Sequence, residues 1–418
     1  MYNICPKEGN YMVKSLIDSL TGIHNEIYLK ENYQKYLDNN PDANFIMIDF
    51  VKFKLINDTF GHNIGDKYLV TFAKILNESF DDSLVVRLHG DEFAILTKYS
   101  EDRIEKFFEL CNQKITLAVL EGKIPRTFEF NAGSVKALHG IDNTKERADL
   151  MMYYAKNNHQ QYQKFLPSIL EKKQEQDDFL ENISTLLSQD AFTYTFRQLY
   201  DINMEQLNIF RIYAKDKNGN SLFDDEKYNI LKSTSKLLQF DTYNIQRLIE
   251  KVNYYDRKVI ISIDYKSLIL VPDILDYLIL MKEIRNMSFE NIILSININN
   301  LDFNNYQVVI DSIVNLKLLG IEICLDKFDS TIGDRIWEDS NVDYIRFSNS
   351  YWLNALNNKK IASSIKTKSE SYRYCNIIPI FEHIENERQI EFLREFAPQN
   401  TLFSGDYFSK EKRLVLKK

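Results

Sequence analysis

The chain has 418 residues, of which 44% are hydrophobic and 27% charged, the proportions of a soluble globular protein with room for two or three domains of roughly 100–200 residues. A net charge of −8 disfavours nucleic-acid binding through a basic surface. No run approaches the roughly 18 consecutive apolar residues of a membrane span.

The opening Met1–Val13 is mixed and polar with no apolar core, so no secretion signal is expected and the expected location is the cytoplasm. Phe45–Ile48 is an apolar run suited to a buried strand, which puts Asp49 at its C-terminal end, where α/β folds present ligand groups. A loop and a short helix follow, carrying Phe53-Lys54, Asn57-Asp58, Gly61-His62 and Gly65-Asp66. Further on, two apolar runs, Ser83–Leu88 and Phe93–Leu96, flank Gly90-Asp91-Glu92. Gly-Asp between strands is ordinary hairpin chemistry. A second acidic strand end changes its meaning, because Asp49 and Asp91 brought together are the oxygen donors that Mg²⁺ takes alongside substrate phosphates. Asn57 and Asp66 would then be free to read a base, since an amide offers donor and acceptor together and a carboxylate accepts from paired N–H groups.

Pro167–Asn182 is rich in helix formers and charge and poor in apolar positions, which suits a helical linker with Ser168 as N-cap. Beyond it, apolar strands recur at Val259–Ile263, Ile292–Ile296, Ile321–Leu325, Val342–Phe347 and Ile377–Phe381, the strand–helix period of a barrel. Several end in polar residues, Asp264, Asp326, Arg346 and Glu382, at the rim where such barrels carry their sites. The expected organisation is a domain at 1–165, a charged helical linker at 166–185 and a barrel at 186–418. Cys5, Cys111, Cys324 and Cys375 stand apart from one another and read as buried thiols in a reducing compartment.

The segments Asp49–Asp58, Gly61–Asp66 and His89-Gly90-Asp91-Glu92-Phe93 resemble the signature set of GGDEF diguanylate cyclases, and Asp18-Ser19-Leu20-Thr21-Gly22 opens the region as that family does. The resemblance runs from about Ser15 to Lys156 and implies a mixed sheet flanked by helices, related to nucleotidyl cyclases and polymerase palms. It further implies Mg²⁺ or Mn²⁺ on Asp49 and Asp91, and Glu92 as the group that activates a ribose 3′-hydroxyl. Guanine would be read by Asn57 and Asp66, and phosphates would lie near Lys54, Gly90 and Lys156. Two GTP molecules would condense to cyclic di-GMP, each held by one domain, so that a homodimer forms at least transiently. This chain departs from the family pattern in three places. His89 replaces the first glycine, Val51 replaces an aspartate, and His159-Gln160-Gln161 stands where the family has Gly-Arg-Asn, which removes a planar phosphate partner. The family's Arg-x-x-Asp feedback motif falls on Phe80 and Ser83, so product inhibition there is not expected.

The second half, from about Gln189, resembles distantly an EAL domain, the family of two-metal cyclic di-GMP phosphodiesterases, and implies a TIM-like (β/α) barrel. Leu325-Asp326-Lys327-Phe328-Asp329 is similar to Leu-Asp-Asp-Phe-Gly, Phe381-Glu382-His383-Ile384-Glu385 to Ala-Glu-Gly-Val-Glu, and Gly405–Ser409 to the closing segment. The name-giving Glu falls near Arg211, the metal-binding Asn on Asp264, the second Asp on Lys327 and the catalytic Lys on Arg346. A cation cannot serve as a metal ligand, so phosphodiesterase activity is expected to be absent. Asp326, Glu382 and Glu385 are expected as structural or ion-paired remnants, with an anion contact at the basic replacements as the alternative.

Three functional readings follow. The first is a diguanylate cyclase whose inactive EAL-like domain docks, dimerises or regulates. In the second, a non-catalytic protein responds to GTP or cyclic di-GMP and recruits a protein partner through the barrel. The third is a structural interaction protein that uses neither pocket. No sensor domain is visible ahead of Ser15.

Overall fold

In the computed structural model the described residues are 16–252, 257–270, 273–328, 331–395 and 397–414. Cys5, Ser15, Asp329 and the Met1–Val13 segment lie outside them. The chain divides into two compact units, the first ending at Glu175 and the second beginning at Gln176.

The first unit runs β1 (His24–Asn25), α1 (Glu26–Asn39), β2 (Asn44–Phe50), α2 (Phe53–Phe60), α3 (His62–Ser79), β3 (Leu84–His89), β4 (Glu92–Thr97), α4 (Glu101–Leu120), β5 (Phe130–Lys136), α5 (Ile141–Asn157) and β6 (Tyr162–Lys164). Its strands form one mixed sheet in the order β1-β3-β4-β2-β5-β6. Strand alternation sorts the central strand between two cores. Ile46, Ile48 and Phe50 pack with Phe72, Phe93 and Phe130, while Phe45 and Met47 pack with Leu29, Tyr33, Ala148 and Met151 on the opposite face. Asp49 continues the second series, so its side chain emerges on the α1/α5 face.

The next helix, α6 (Pro167–Ser188), spans the division between the units. Ser168 is not its N-cap, because Pro167 is the first helical residue. That is the position where a missing N–H costs nothing and a fixed φ is already helical.

The second unit contains β7 (Thr193–Tyr200), β8 (Gln206–Lys215), α7 (Asp225–Lys232), β9 (Lys258–Asp264), β10 (Ile292–Asn297), β11 (Glu322–Phe328), β12 (Tyr344–Phe347), β13 (Ile378–Phe381), β14 (Leu402–Phe403) and β15 (Lys412–Leu414), with further helices between the later strands. Strands β7 to β14 close into an eight-stranded barrel through a β14–β7 pairing, and β15 adds outside β7. Neighbours from β8 to β14 are parallel, but β7 is antiparallel to both β8 and β14. The barrel is therefore TIM-like with one reversed strand.

Inside it, Leu199, Ile260, Ile293, Cys324, Tyr344, Ile380 and Leu402 form an apolar floor. Two residues further along their strands stand Ser262, Ser295, Asp326, Arg346 and Glu382, and period-2 alternation keeps them inside the barrel one layer higher. Cys111 and Cys324 are buried free thiols, pushed up by burial to about 11 and about 12. Cys375, expected to be buried, is exposed at the end of a helix. No helix among the described residues is long and apolar enough to cross a membrane.

Candidate functional site

The signature residues of the first unit meet at one end of its sheet. Strands β3 and β4 form a hairpin whose tip is Gly90-Asp91, with a register shift between Arg87 and His89. Gly90 takes the left-handed conformation at φ +52, so His89 does not need it and the histidine fits without backbone strain. Arg87 braces the tip. Its Nε and Nη2 donate to the Gly90 carbonyl at 3.0 and 2.7 Å, and its Nη1 donates to Asp18 Oδ1 at 3.0 Å. Asp18 in turn accepts from the Thr21 N–H at 2.8 Å and from the Thr21 hydroxyl at 2.6 Å. Burial opposes ionisation of Asp18, but the Thr21 and Arg87 hydrogen bonds outweigh it and hold the carboxyl below its ordinary range.

Asp49 pairs in register with Glu92 across β2 and β4, and directly opposed residues on neighbouring strands project to the same face. Helix α5 approaches the same place because β5 offers Gly133, where a Cβ would collide with the backbone of Ala148, Met151 and Met152. The close fit sets Asp149 and Lys156, two turns apart on α5, beside the strand ends. Lys156 Nζ lies 2.8 Å from Asp49 Oδ2, and the bond raises the lysine above its usual range.

Three carboxyls in this group are also raised. Burial comes first for Asp91, Glu92 and Asp149, and the negative charge of Asp49 adds to it in each case. His89 opposes the rise at Glu92, its Nε2 being 3.2 Å from Glu92 Oε2.

Asn57 lies on α2 and Asp66 on α3. A Cβ at Gly65 would overlap the Asn57 side-chain oxygen, so this glycine clears the space into which Asn57 reaches. Lys54 is exposed on α2. At the positions of the feedback motif, Phe80 is buried in the core and Ser83 donates to Thr97 at 2.8 Å.

Of the residues singled out from the sequence, Asp49, Glu92 and Lys156 share one end of the sheet, and Asp91 lies at the hairpin tip close enough to feel Asp49. Arg87 and Asp149 were not anticipated, since neither has a spacing that announces a role before β3 and α5 are placed. The donor set suits a hard divalent cation only in combination with substrate. Among the described residues no group of three or more His, Cys, Asp or Glu could hold a metal by itself. Asp49 and Asp91 are the hard-oxygen groups here that could hold such an ion together with substrate phosphates.

In the barrel, four residues at sequence-marked positions form a buried ion-pair ring. Arg211 Nη2 bonds Asp326 Oδ2 at 2.7 Å and its Nε lies 3.5 Å from Glu382 Oε1. Arg346 bonds both carboxylates, Asp326 Oδ1 and, at 2.9 Å, Glu382 Oε2. Ser262 and Ser295 complete the ring by contacts to Arg211 and Asp326. Burial works against ionisation of Asp326, and Arg346 and Arg211 reverse that, holding it well below the ordinary carboxylate range.

Asp264 is outside the ring, paired with Lys232 at 3.0 Å and accepting from Tyr228 at 3.0 Å. Lys327 is at a left-handed φ of 55 and pairs with Asp225 at 3.1 Å. Glu385 is exposed, its backbone N–H bound by Gln389 at 2.7 Å, and it does not join the ring.

Residues 15–162 match the family "Diguanylate cyclase, GGDEF domain". Diguanylate cyclase DgcZ of Escherichia coli is 31% identical over 156 residues, 34% of this chain and 51% of that protein. Signaling protein YkoW of Bacillus subtilis is 23% identical over 345 residues, 74% of this chain and 41% of that protein. The chain thus spans about half the length of these relatives or less. Among solved structures, the Xanthomonas citri FimX EAL domain in complex with c-diGMP aligns with a TM-score of 0.50 at 11% identity, covering 58% of this chain and 97% of that one. The second unit therefore has the fold of EAL domains.

Proposed function

We propose that this chain, a member of the GGDEF family through residues 15–162, condenses two molecules of GTP to cyclic di-GMP and carries an EAL-type barrel that does not hydrolyse the product. The observation that carries the reading is the in-register pairing of Asp49 with Glu92, beside a braced hairpin tip that presents Asp91. In this reading Asn57 and Asp66 hold the guanine edge and fix the nucleotide's register. Lys156 and Lys54 offset phosphate charge, with Lys156 exchanging part of its contact with Asp49 for the nucleotide. Glu92, its carboxyl raised above the ordinary value by burial and then by the charge of Asp49, accepts the proton of an incoming ribose 3′-hydroxyl as that oxygen attacks the α-phosphate of the second GTP. Mg²⁺ or Mn²⁺, held by Asp49 and Asp91, would supply stabilisation of charge on the phosphates. Each unit presents one nucleotide, so the reaction requires two copies to meet face to face.

The barrel reading rests on the ion-pair ring. Two guanidinium groups neutralise Asp326 and Glu382 at the positions where the resemblance would place metal ligands, leaving no oxygen pair free to bind a dinuclear centre.

A second reading, a GTP-binding sensor without turnover, draws on two particulars. His89 contacts the Glu92 carboxylate, and Gln160 stands in place of the phosphate-binding arginine.

Separation of nucleotides after incubation with GTP and Mg²⁺ or Mn²⁺ tests the proposal. Wild type yields cyclic di-GMP and E92A does not, whereas GTP binding without product supports the sensor. A parallel incubation with cyclic di-GMP returns it intact. A linear product that disappears in E382A would show the barrel to be a working phosphodiesterase.

A further inference from the structure

Two neighbouring helices on the outside of the barrel are apolar on more sides than the barrel covers. Asp273–Arg285 and Tyr306–Leu318 lead into β10 and β11, and those strands are adjacent. Leu278 and Met281 of the first helix and Ile313 and Leu316 of the second are buried, which accounts for the inward face of each. The outward face is apolar as well. Leu280 and Ile284, one turn apart, are 46% and 73% exposed, and Val314 and Leu318 repeat that spacing at 47% and 75%. Lys282 Nζ donates to the Leu319 carbonyl at 2.8 Å and ties the C-terminal ends of the two helices together. The two pairs thus form one patch.

A surface helix ordinarily turns a polar face to water, and one that is apolar all round has cover on both sides. The four side chains expose about 400 Å², a size at which apolar patches are often functional.

The charges beside the patch decide what cover fits. Lys282 is engaged by the Leu319 carbonyl, and Lys317 pairs with Asp343 at 2.6 Å. The two helices carry more carboxylates than cations, Asp273, Asp276, Glu283 and Asp311 against Lys282, Arg285 and Lys317. That is the reverse of the Lys- and Arg-rich polar face with which a helix lies on an anionic lipid surface. An acidic partner would find neither lysine free. An uncharged aliphatic surface fits best against one like itself. A second copy brings the same patch, so the pair buries roughly 800 Å² of apolar surface, the core of an interface that a polar rim extends to about 1,200–2,000 Å².

We infer that the barrel joins two copies of this chain through these two helices, with Leu280, Ile284, Val314 and Leu318 of one copy packed on the same residues of the other about a two-fold axis. The surface argument stands without any nucleotide. Its consequence for rate rests on the proposed cyclase reaction, because a chain held to a second copy at the barrel keeps the two first units at high effective concentration.

Sedimentation velocity of the full chain without nucleotide tests the contact. Wild type should be dimeric with a dissociation constant of about 10 µM or below. I284E/L318E changes only exposed side chains, so its melting temperature should match wild type while its dissociation constant rises by about a hundredfold or more. I284K/L318K should behave alike, and the two variants mixed should dimerise again, because opposite charges then meet across the same face. In the cyclase assay I284E/L318E should need about tenfold more protein than wild type to reach half its plateau activity.

A wild type that stays monomeric at about 50 µM would overturn the inference. So would a dimer that I284E/L318E leaves intact, since the contact would then lie elsewhere. Wild-type monomers that sediment with vesicles of phosphatidylcholine and phosphatidylglycerol, and cease to do so in I284E/L318E, would give the face to lipid and overturn it as well. A dimer sensitive to I284E/L318E that forms no cyclic di-GMP would uphold the inference and contradict the cyclase reading alone.

Discussion

Gly65 and Asn57 show how one missing methyl group shapes the part of the first site proposed to hold guanine. The space a Cβ would take at residue 65 is filled by the Asn57 amide, and a flexible side-chain end can be displaced where backbone could not. G65A should therefore leave the fold standing, because alanine suits the interior of α3 better than glycine, while pushing the Asn57 amide out of its place beside residue 65. The expected result is GTP binding weakened severalfold with little change in melting temperature, measured by titration and calorimetry. The amide and carboxylate were marked in the sequence as candidate base readers. The reason for Gly65 was not, since a clash between residues eight positions apart exists only once α2 and α3 are folded back on each other. Arg87 was hidden in the same way, because its partners Asp18 and Gly90 lie on separate turns that only the folded hairpin brings together.

At the scale of elements, the hairpin and α5 press acidic groups into one corner of the sheet, which favours chemistry at the expense of stability. Glu92 has a folded-state pKa raised above its ordinary value by burial, with Asp49 adding to the effect. A group raised in this way favours the fold while it is protonated and loses that contribution as pH rises through the folded value. E92Q should therefore melt higher than wild type at pH 7, and the difference should vanish toward pH 4, as read by calorimetry without nucleotide. If E92Q melted lower at pH 7, the carboxylate would be a net stabiliser and the crowding account would be wrong.

Asp241 in the barrel obeys the same sign, its carboxyl pushed up to about 7 chiefly by burial. D241N keeps an acceptor for Ser267 and the Asp264 N–H, so it should stabilise the second unit at pH 8 and leave it unchanged near pH 4. Five barrel strands were legible as apolar runs, whereas β7 and β8 were not. Thr193–Tyr200 and Gln206–Lys215 alternate polar and apolar residues in an antiparallel pair, a pattern that an exposed hairpin would share.

On the scale of the whole molecule, the two units use their charged groups differently. The first unit keeps separated polar residues at one sheet end, and the second sets cations against carboxylates inside its barrel. Arg211 and Arg346 lock Asp326 and Glu382 into a closed ring, so the barrel interior is held by charges of the chain itself. The two arginines themselves were plain in the sequence. Their outcome was not, because a guanidinium at a rim can equally reach for an external anion, and only the inward layer above the apolar floor shows that both are consumed. R346A should leave two buried carboxylates to share Arg211 alone and cost about 3–5 kcal/mol, seen as a lowered denaturation midpoint of the second unit. A loss under about 1 kcal/mol would mean that the ring is not structural.

In the proposed reaction two copies of the first unit join two GTP molecules through Asp49, Asp91 and Glu92. The measurement that meets it most directly is the rate of cyclic di-GMP formation from GTP and Mg²⁺ as the concentration of the full chain is raised. Two half-sites that must meet predict a specific activity that climbs with concentration before levelling, and none at any concentration for E92Q. A wild-type chain that binds GTP with Mg²⁺ yet forms no cyclic di-GMP across the whole range would contradict it.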